Sequence, residues 1–236
     1  MIRLEDVSVR VDVPTAAGHA HAWVAKTLID RVSLALPERR IAFVGANGSG
    51  KSTLLRLLNG LILPSDGRVE VDGLDPATDG RAVRRHVGFV FTDPLSQLVM
   101  PTPVEDVELS LRRSIPDRKA RRARALDLLE ERGLARVADQ SIYDLSGGER
   151  QLVALTAVLA VKPGVLVADE PTTLLDLRNR LRLYATLDAL PQQVIVSTHD
   201  LDLARRADRV LVVEGGRIAH DGAPAEAIAY YEGSQR

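Results

Sequence analysis

The stretch Gly45-Ala-Asn-Gly-Ser-Gly-Lys-Ser-Thr53 follows a strand-like run, Arg40-Ile-Ala-Phe-Val44, and has the spacing of a phosphate-binding loop. Its glycines let successive backbone N–H groups point inward at a polyphosphate. A helix that begins near Lys51 would present its positive dipole end to the same anion. A glycine-rich turn before an ordinary core helix would not need a Lys-Ser pair at the helix start. The stretch therefore predicts a polyphosphate site between a strand and a helix.

ATP and Mg²⁺ are the ligands that this loop predicts. We expect Lys51 to reach the β- and γ-phosphates and the Ser52 hydroxyl to ligate Mg²⁺, which neutralises charge between those phosphates. The predicted ATP-binding residues are Gly45, Ala46, Asn47, Gly48, Ser49, Gly50, Lys51, Ser52 and Thr53.

Length, charge and cysteine content limit the class of protein. The 236 residues, 45% of them hydrophobic, are enough for one sizeable α/β domain. A net charge of −1 gives no general attraction to nucleic acid or anionic membranes. The chain has no cysteine, which excludes disulfides and Cys-ligated metals and suits a reducing compartment. The start of the chain is too acidic for a signal peptide, and the longest apolar stretch, at 152–161, is too short for a membrane span. We expect a cytoplasmic protein whose membrane role, if any, comes through a partner.

Strand and helix signals alternate along most of the chain, which predicts an α/β fold with a mostly parallel sheet. Helix signals replace the strand signals in the middle third. We expect one domain with an α/β core at about 1–92 and 160–236, an antiparallel β portion at its N-terminus, and an inserted helical subdomain at about 93–159. The Val-rich runs are Arg68–Val71, Val87–Phe91, Val165–Ala168, Val194–Ser197 and Val210–Val213.

A basic run from Arg118 to Arg124 lies in a predicted helix over 117–132. It has the charge of a nucleic-acid patch, but acidic residues follow on the same helix and no aromatic residues are interleaved. These features favour a solvated helix face, and we expect no nucleic-acid partner.

A second motif, Val165-Leu-Val-Ala-Asp-Glu170, is an apolar strand that ends in two carboxylates. In a parallel sheet with a phosphate-binding loop, the carboxyl ends of the strands open onto the phosphate crevice. We expect Asp169 to hold Mg²⁺ through water. On an extended chain Glu170 would point the other way, where it could orient or deprotonate an attacking water.

A third motif, Leu145-Ser-Gly-Gly-Glu149, precedes an apolar helix. Ser146 is a good N-cap and the glycines expose backbone N–H groups. Together with the first two motifs, in this order, the string resembles the signature of the ATP-binding-cassette ATPases, and the resemblance covers nearly the whole chain. The resemblance implies a P-loop NTPase fold and ATP hydrolysis.

In that family two subunits pair head to tail, so that the signature of one closes over the ATP of the other. The resemblance implies that Leu145, Ser146, Gly147, Gly148 and Glu149 act on the partner's ATP. It also implies that Asp176 belongs to a loop that crosses the interface. His199 matches the family's switch histidine, which would contact the γ-phosphate and act with Glu170 in catalysis. The partner is a second copy or a related ATPase.

The segment from Val87 to Val107 is similar to the coupling region of ATPases from energy-coupling-factor importers. The sequence Met100-Pro-Thr102 is most similar to that of the biotin-importer branch, with cobalt or nickel importers next. The implied partners are a transmembrane coupling protein and a substrate-binding membrane subunit, with this chain at the cytoplasmic face of the membrane. The alternatives are a non-transport cytosolic ATPase of the same fold and a subunit that binds ATP without hydrolysing it.

The chain departs from the family at two positions. Thr92 stands where the family has a glutamine that ligates Mg²⁺, and its shorter hydroxyl would need a bridging water. Gln97 matches a second glutamine of the subfamily, so the role does not move there. Val11 stands where an aromatic residue usually stacks on adenine. Either Trp23 or a histidine in the loop at 14–22 substitutes, or adenine binding is weaker; core packing is the alternative for Trp23. His19 and His21 could touch a metal, but no third ligand is evident.

Overall fold

A computed structural model describes residues 1–14 and 23–235 of the chain. The strands are β1 Ile2–Pro14, β2 Trp23–Leu36, β3 Arg40–Val44, β4 Asp66–Val71, β5 Val87–Val90, β6 Val165–Asp169, β7 Gln193–Ser197, β8 Arg209–Glu214 and β9 Arg217–Gly222. The α-helices are α1 Lys51–Leu58, α2 Gly80–His86, α3 Pro103–Leu111, α4 Arg118–Glu130, α5 Gly147–Ala160, α6 Leu177–Ala189, α7 Leu201–Ala204 and α8 Pro224–Ser234. Short 3-10 helices cover Pro94–Ser96, Ala135–Val137 and Ile142–Asp144.

The chain divides into two compact units. The first combines Met1–Val87 with Gln193–Arg236, and the second is Gly88–Gln192. The predicted boundaries of a helical subdomain within a single domain stay a prediction.

The first unit contains two groups of strands. β1 pairs with β2 and with β4, antiparallel in both cases. β3 lies between β7 and β8, parallel to both, and β9 pairs antiparallel with β8. Each of the four residues Ile41 to Val44 is at most 1% exposed, as expected for a central parallel strand that is covered on both faces. The carboxyl end of β3, where the phosphate-binding loop begins, therefore has a strand end on either side.

The second unit is built around an apolar helical core. α3, α4 and α5 contribute leucine, valine and alanine side chains to this core, and the half-buried Ile115 packs against it. Thr102 caps α3 and Asp117 caps α4, each by accepting a hydrogen bond from a backbone N–H. β5 and β6 are neighbouring strands, and every residue of β6 is buried.

The α/β class predicted from the sequence is confirmed, with its antiparallel N-terminal portion and its parallel core strands. The Val-rich runs are all strands, and their ends differ from prediction by two residues at most. Of the loop predicted at 14–22, Pro14 is instead the last residue of β1. Residues 15–22, with His19 and His21, lie outside the described residues. In the described part of the chain, no helix combines the length and apolar character needed to cross a membrane.

Candidate functional site

The phosphate-binding loop joins the buried end of β3 to the start of α1. Gly45 has φ +152°, and a Cβ on it would lie 2.3 Å from the carbonyl oxygen of Val213. Gly50 has φ +113°, and a Cβ there would lie 2.9 Å from Ile29 Cδ1. Both positions therefore require glycine for backbone conformation and for space.

Lys51 is only 5% exposed, although it carries a charge. Its Nζ donates hydrogen bonds to the carbonyl oxygens of Gly45, at 2.8 Å, and Ala46, at 3.1 Å. A buried ammonium group needs such partners, because burying the charge without them costs roughly several kcal/mol of free energy. The amine is thus held across the loop, at the place where the sequence predicts phosphate oxygens.

The loop fits a polyphosphate on two observations. Gly50, the N-cap residue of α1, has no side chain with which to cap the first N–H groups of the helix. Ser49 Oγ is buried and finds no hydrogen-bond partner among the residues that the structure describes. An anion with several oxygens could satisfy donors of both kinds. Ser52 and Thr53 are half-buried in the first turn of α1, and the Ser52 hydroxyl has the oxygen chemistry that Mg²⁺ prefers.

His199 lies in the same unit as the loop. Phe43 of β3 is opposite Ser197 of β7, and the Thr198 N–H donates to the Phe43 carbonyl at 2.9 Å. Because the strands are parallel, the chain emerges toward Gly45 and toward His199 at the same edge. Asp200 caps α7, which fixes the backbone on the far side of the exposed histidine.

The two predicted carboxylates follow one another at the end of β6 in the second unit. Asp169 is 1% exposed. Glu170 is half-buried and has φ +49°, in the left-handed region. The chain therefore turns at Glu170, so the strand alternation expected from the sequence does not set the direction of this side chain. Non-glycine residues in this region carry a local strain of about 1–3 kcal/mol, and such strain is concentrated at functional sites.

The signature string forms the start of α5. Ser146 is the N-cap, and its hydroxyl accepts from the Glu149 N–H while the Glu149 carboxylate accepts from the Ser146 N–H, a complete capping box. Arg136 also pairs with Glu149. Burial alone would raise the pKa of the Glu149 carboxyl, but the Ser146 hydrogen bonds and Arg136 outweigh it and lower the pKa.

The glycines of the signature pack against the segment that carries Asp176. A Cβ on Gly147 would lie 3.2 Å from Leu174 Cβ, and one on Gly148 would lie 2.7 Å from Asn179 Nδ2. Asp176 itself caps α6 by accepting a 2.8 Å hydrogen bond from the Asn179 N–H. The second unit thus brings the signature and the predicted interface loop together.

Thr92 and Gln97 differ in how their side chains are placed. The Gln97 carbonyl accepts from the Phe91 N–H at 3.2 Å, and its amide group donates to the Ala154 carbonyl at 3.4 Å. Gln97 is therefore bound to the backbone at both ends of its amide, and the metal-ligand role of Thr92 stays a prediction. Thr92 is half-buried and follows β5 directly.

Trp23 does not pack in the core. It is 63% exposed and pairs with Pro14 at the far end of the β1–β2 hairpin. The core alternative is wrong because this end of the hairpin lies exposed; Val11, opposite Lys26, is also 37% exposed. Adenine stacking by Trp23 stays a prediction.

Asp106 was missed by the sequence reasoning. It is 5% exposed, and its carboxylate accepts hydrogen bonds from the N–H groups of Val99 and Met100 at 3.3 and 3.0 Å. Burial raises the pKa of the Asp106 carboxyl, against the effect of those two amides. Asp106 thereby fixes the turn ahead of α3. An acidic residue on the apolar face of a helix that starts with Thr-Pro was the available signal.

Comparisons with known proteins agree with these motifs. A family profile described as ABC transporter matches residues 29–173. A Deinococcus radiodurans protein named as a candidate ABC transporter ATP-binding protein is 48% identical over 213 residues, 90% of this chain and 94% of that one. The biotin transport ATP-binding protein BioM of Rhizobium etli is 43% identical over 88% of this chain and 92% of its own length.

Two further similarities extend this result. The energy-coupling factor transporter ATP-binding protein EcfA1 of Halalkalibacterium halodurans is 38% identical over 81% of this chain and 70% of its own. A solved ATP-binding cassette, a dimer in a post-hydrolysis state bound to ADP and Pi, matches with a TM-score of 0.83 at 28% identity, over 95% of this chain and 99% of that one. The chain therefore belongs to the ABC transporter family, as an ATP-binding subunit with ATPase activity.

Proposed function

We propose that this chain is the ATPase subunit of an importer of the energy-coupling-factor type, and that the imported substrate is biotin. The support is the 43% identity to a protein named for biotin transport and the 38% identity to one named for the energy-coupling factor. The similarity of residues 87–107 to the coupling region of such ATPases supports the same proposal.

The observation that carries the ATPase chemistry is the loop from Gly45 to Lys51, with its required glycines and its buried lysine amine. In our proposal Lys51 exchanges its carbonyl partners for phosphate oxygens, and the N–H groups at the start of α1 face the same phosphates. Ser52 would hold Mg²⁺ directly, and Asp169 and Thr92 would hold it through water. When bound, the ion supplies positive charge between the β- and γ-phosphates.

Glu170 and His199 carry the hydrolytic step in this proposal. Glu170 orients the attacking water and accepts its proton, and His199 holds that water and the γ-phosphate in place. The left-handed conformation of Glu170 supports a functional position, because a strained residue persists only where its surroundings fix it.

ABC ATPases act as dimers, and the similar solved cassette is one. We assign the signature residues Leu145 to Glu149 to the partner's ATP and Asp176 to the interface. Because this chain has both a phosphate-binding loop and a signature, a homodimer would have two competent sites. Pairing with a related ATPase is the alternative.

The membrane partner would dock on the second unit. α3, the start of α4 and the turn fixed by Asp106 border a groove of about 250 Å³. Its lining combines apolar, acidic and basic side chains: Met100, Glu105, Glu108, Leu109, Arg112, Arg118 and Arg121. We propose that a cytoplasmic segment of the transmembrane coupling protein occupies this groove, which places the chain at the cytoplasmic face of the membrane. The motion of the second unit after hydrolysis would then reach the membrane.

The first experiment is to tag the chain, extract it from its native membranes in mild detergent and identify what stays bound. The expected result is a transmembrane coupling protein with a small substrate-binding membrane protein that carries biotin. A small protein that carries cobalt or nickel would keep the importer and reject biotin. Recovery only from the soluble fraction, alone or with ribosomal or DNA-bound partners, would reject the importer and leave the ATPase.

A further inference from the structure

The basic run on α4 contains cations of two kinds. Arg121 and Arg122 approach Glu108 at 3.9 and 3.5 Å, and Arg124 approaches Glu131 at 3.3 Å. Within residues 1–14 and 23–235, the structure gives no acidic partner to four neighbouring cations, all exposed: Arg112, Arg113, Arg118 and Lys119. We call these four residues the α3–α4 corner.

The corner is locally strongly positive, although the whole chain is not. Its four cations and Asp117 leave residues 112–119 with a net charge of +3, against −1 for the chain. Asp117 forms no ion pair with them in the described part of the chain, and its carboxylate accepts the Ala120 N–H at 2.7 Å as the N-cap of α4. The four exposed cations are therefore available to an anionic ligand outside the chain.

The turn that carries the corner is held in one conformation. The N–H groups of Ser114 and Ile115 both donate to the Leu111 carbonyl, at 3.0 and 2.9 Å. The Arg121 guanidinium donates to the carbonyls of Ile115 and Pro116, both at 3.1 Å. Ile115 is anchored against the helical core. The four cations are therefore displayed on a fixed base and keep only their side-chain freedom.

We propose that the α3–α4 corner binds anionic phospholipid headgroups of the membrane surface. Arg112 and Arg118 border the groove to which we assign the membrane partner, so the corner is next to the place where the bilayer would be approached. Long exposed cations without interleaved aromatics suit a surface of phosphate groups more than single-stranded nucleic acid, which needs stacking partners. This inference goes beyond the proposed function, because it gives the ATPase subunit its own contact with lipid.

The test is flotation of the purified full chain with vesicles, which needs neither a membrane partner nor ATP turnover. The probe is phosphatidylcholine containing about one-third phosphatidylglycerol, with pure phosphatidylcholine as the neutral comparison. We expect the wild type to float with the anionic vesicles only, and to be released when ionic strength rises from about 0.1 M to about 1 M.

Two matched variants locate the binding. Each Lys or Arg near an anionic surface raises the membrane partition coefficient about fivefold. The double variant Arg113→Gln, Lys119→Gln should therefore lower that coefficient about 25-fold. Neither residue lines the groove, and ATP turnover and thermal stability should stay at the wild-type level. The control is Arg81→Gln with Arg84→Gln on α2, where three basic and three acidic residues balance over 72–86; it should change partitioning by less than about twofold.

Several results would overturn the proposal. If the variant with Arg113→Gln and Lys119→Gln floated as well as the wild type, the α3–α4 corner would not be the lipid-binding site. An equal loss in the α2 control would show that overall charge, not this site, attracts the vesicles. Release by millimolar inorganic phosphate at constant ionic strength would indicate a free-phosphate site. A DNA duplex bound through the same two residues, with no flotation, would indicate a nucleic-acid surface. In each case the ATPase and importer assignments would be unaffected, because the copurification experiment tests them separately.

Discussion

Two helices, α1 and α5, begin at glycine-rich segments, and their first N–H groups are capped differently. α1 begins after Gly50, which has φ +113° and caps nothing with a side chain. α5 begins after Ser146, whose hydroxyl and amide are both engaged with Glu149 in a capping box. The first start leaves its dipole end to a ligand, whereas the second is closed by its own side chains.

The difference limits how each start can act on a nucleotide. The α1 loop can take phosphate by a local exchange in which Lys51 leaves two carbonyl groups. The Ser146 hydroxyl also donates to Glu149 at 2.8 Å, so it must give up this bond before it can donate to a partner's phosphate. We therefore expect α1 to bind nucleotide in a single chain, and α5 to contribute only once two chains close.

Lys51→Ala should have the largest effect. It removes the amine that the loop is built around, and we expect ATP turnover to fall by about a thousandfold or more while the fold persists. Steady-state phosphate release measures it, with Lys162→Ala as the control lysine. Turnover within about tenfold of the wild type would contradict the assignment of the α1 loop to phosphate.

Glu170→Gln separates binding from hydrolysis and so exposes the role of α5. Loss of the proposed proton acceptor should slow turnover by about 10²- to 10⁴-fold and trap an ATP-bound dimer, visible by light scattering. Adding Ser146→Ala should weaken that dimer without preventing a single chain from binding nucleotide. Glu170→Gln hydrolysing at the parent rate would remove Glu170 from catalysis.

A glycine-to-alanine substitution at the start of α1 and at the start of α5 tests how strongly each backbone requires glycine. Gly50→Ala forces a side chain into the left-handed region and against Ile29, so we expect unfolding free energy to fall by about 2–4 kcal/mol. Gly147 has no positive φ, and the nearest atom to a Cβ added there is Leu174 Cβ at 3.2 Å, so the effect of Gly147→Ala should stay within about 1 kcal/mol. Urea unfolding measures both. Equal losses would mean that the two loops are constrained alike.

Ser146→Ala should cost about 1 kcal/mol of stability, because the cap of α5 is lost. Ser146→Thr keeps the hydroxyl and serves as the control. A fall in turnover much greater than this loss of stability explains would show that the hydroxyl also serves the nucleotide. If neither the unfolding free energy nor ATP turnover changed, the Ser146 hydroxyl would not be stabilising the start of α5.

The smallest effect is the dependence of stability on pH through Glu149. Because its folded pKa is lowered, the carboxylate contributes stability above its usual pKa of 4.5, and this contribution is lost as pH falls through the folded value. Urea midpoints measured from about pH 7 down to about pH 3 should therefore fall less steeply for Glu149→Gln than for the wild type. Parallel profiles would show that Glu149 is not held by its cap.

The local features of both starts could be predicted from sequence, because they depend on neighbouring residues. The strand, loop and helix around Lys51 and the N-cap role of Ser146 follow from spacing and residue type, and the structure confirms both elements. Ser-Gly-Gly-Glu even contains the serine and glutamate of a capping box three residues apart.

Features that depend on distant packing could not be predicted. The left-handed turn at Glu170 interrupts the strand pattern without a glycine to signal it. Arg136 reaches Glu149 from another helix, and Asp106 is buried against the turn whose backbone N–H groups donate hydrogen bonds to its carboxylate. The split of the basic run into paired and unpaired cations depends on where Glu108 lies, which periodicity alone does not give.

Among the strands that the structure describes, the one that carries the phosphate-binding loop pairs only with β7 and β8, which are encoded far downstream. The loop is also fixed from behind by late residues: the Gly216 N–H donates to the Ser49 carbonyl at 2.8 Å, and Val213 closes over Gly45. During synthesis, therefore, β3 leaves the ribosome long before its neighbours exist. The predicted phosphate-binding loop therefore reaches its described conformation only after residue 216 has emerged, so ATP bound there cannot assist the folding of a growing chain before that point.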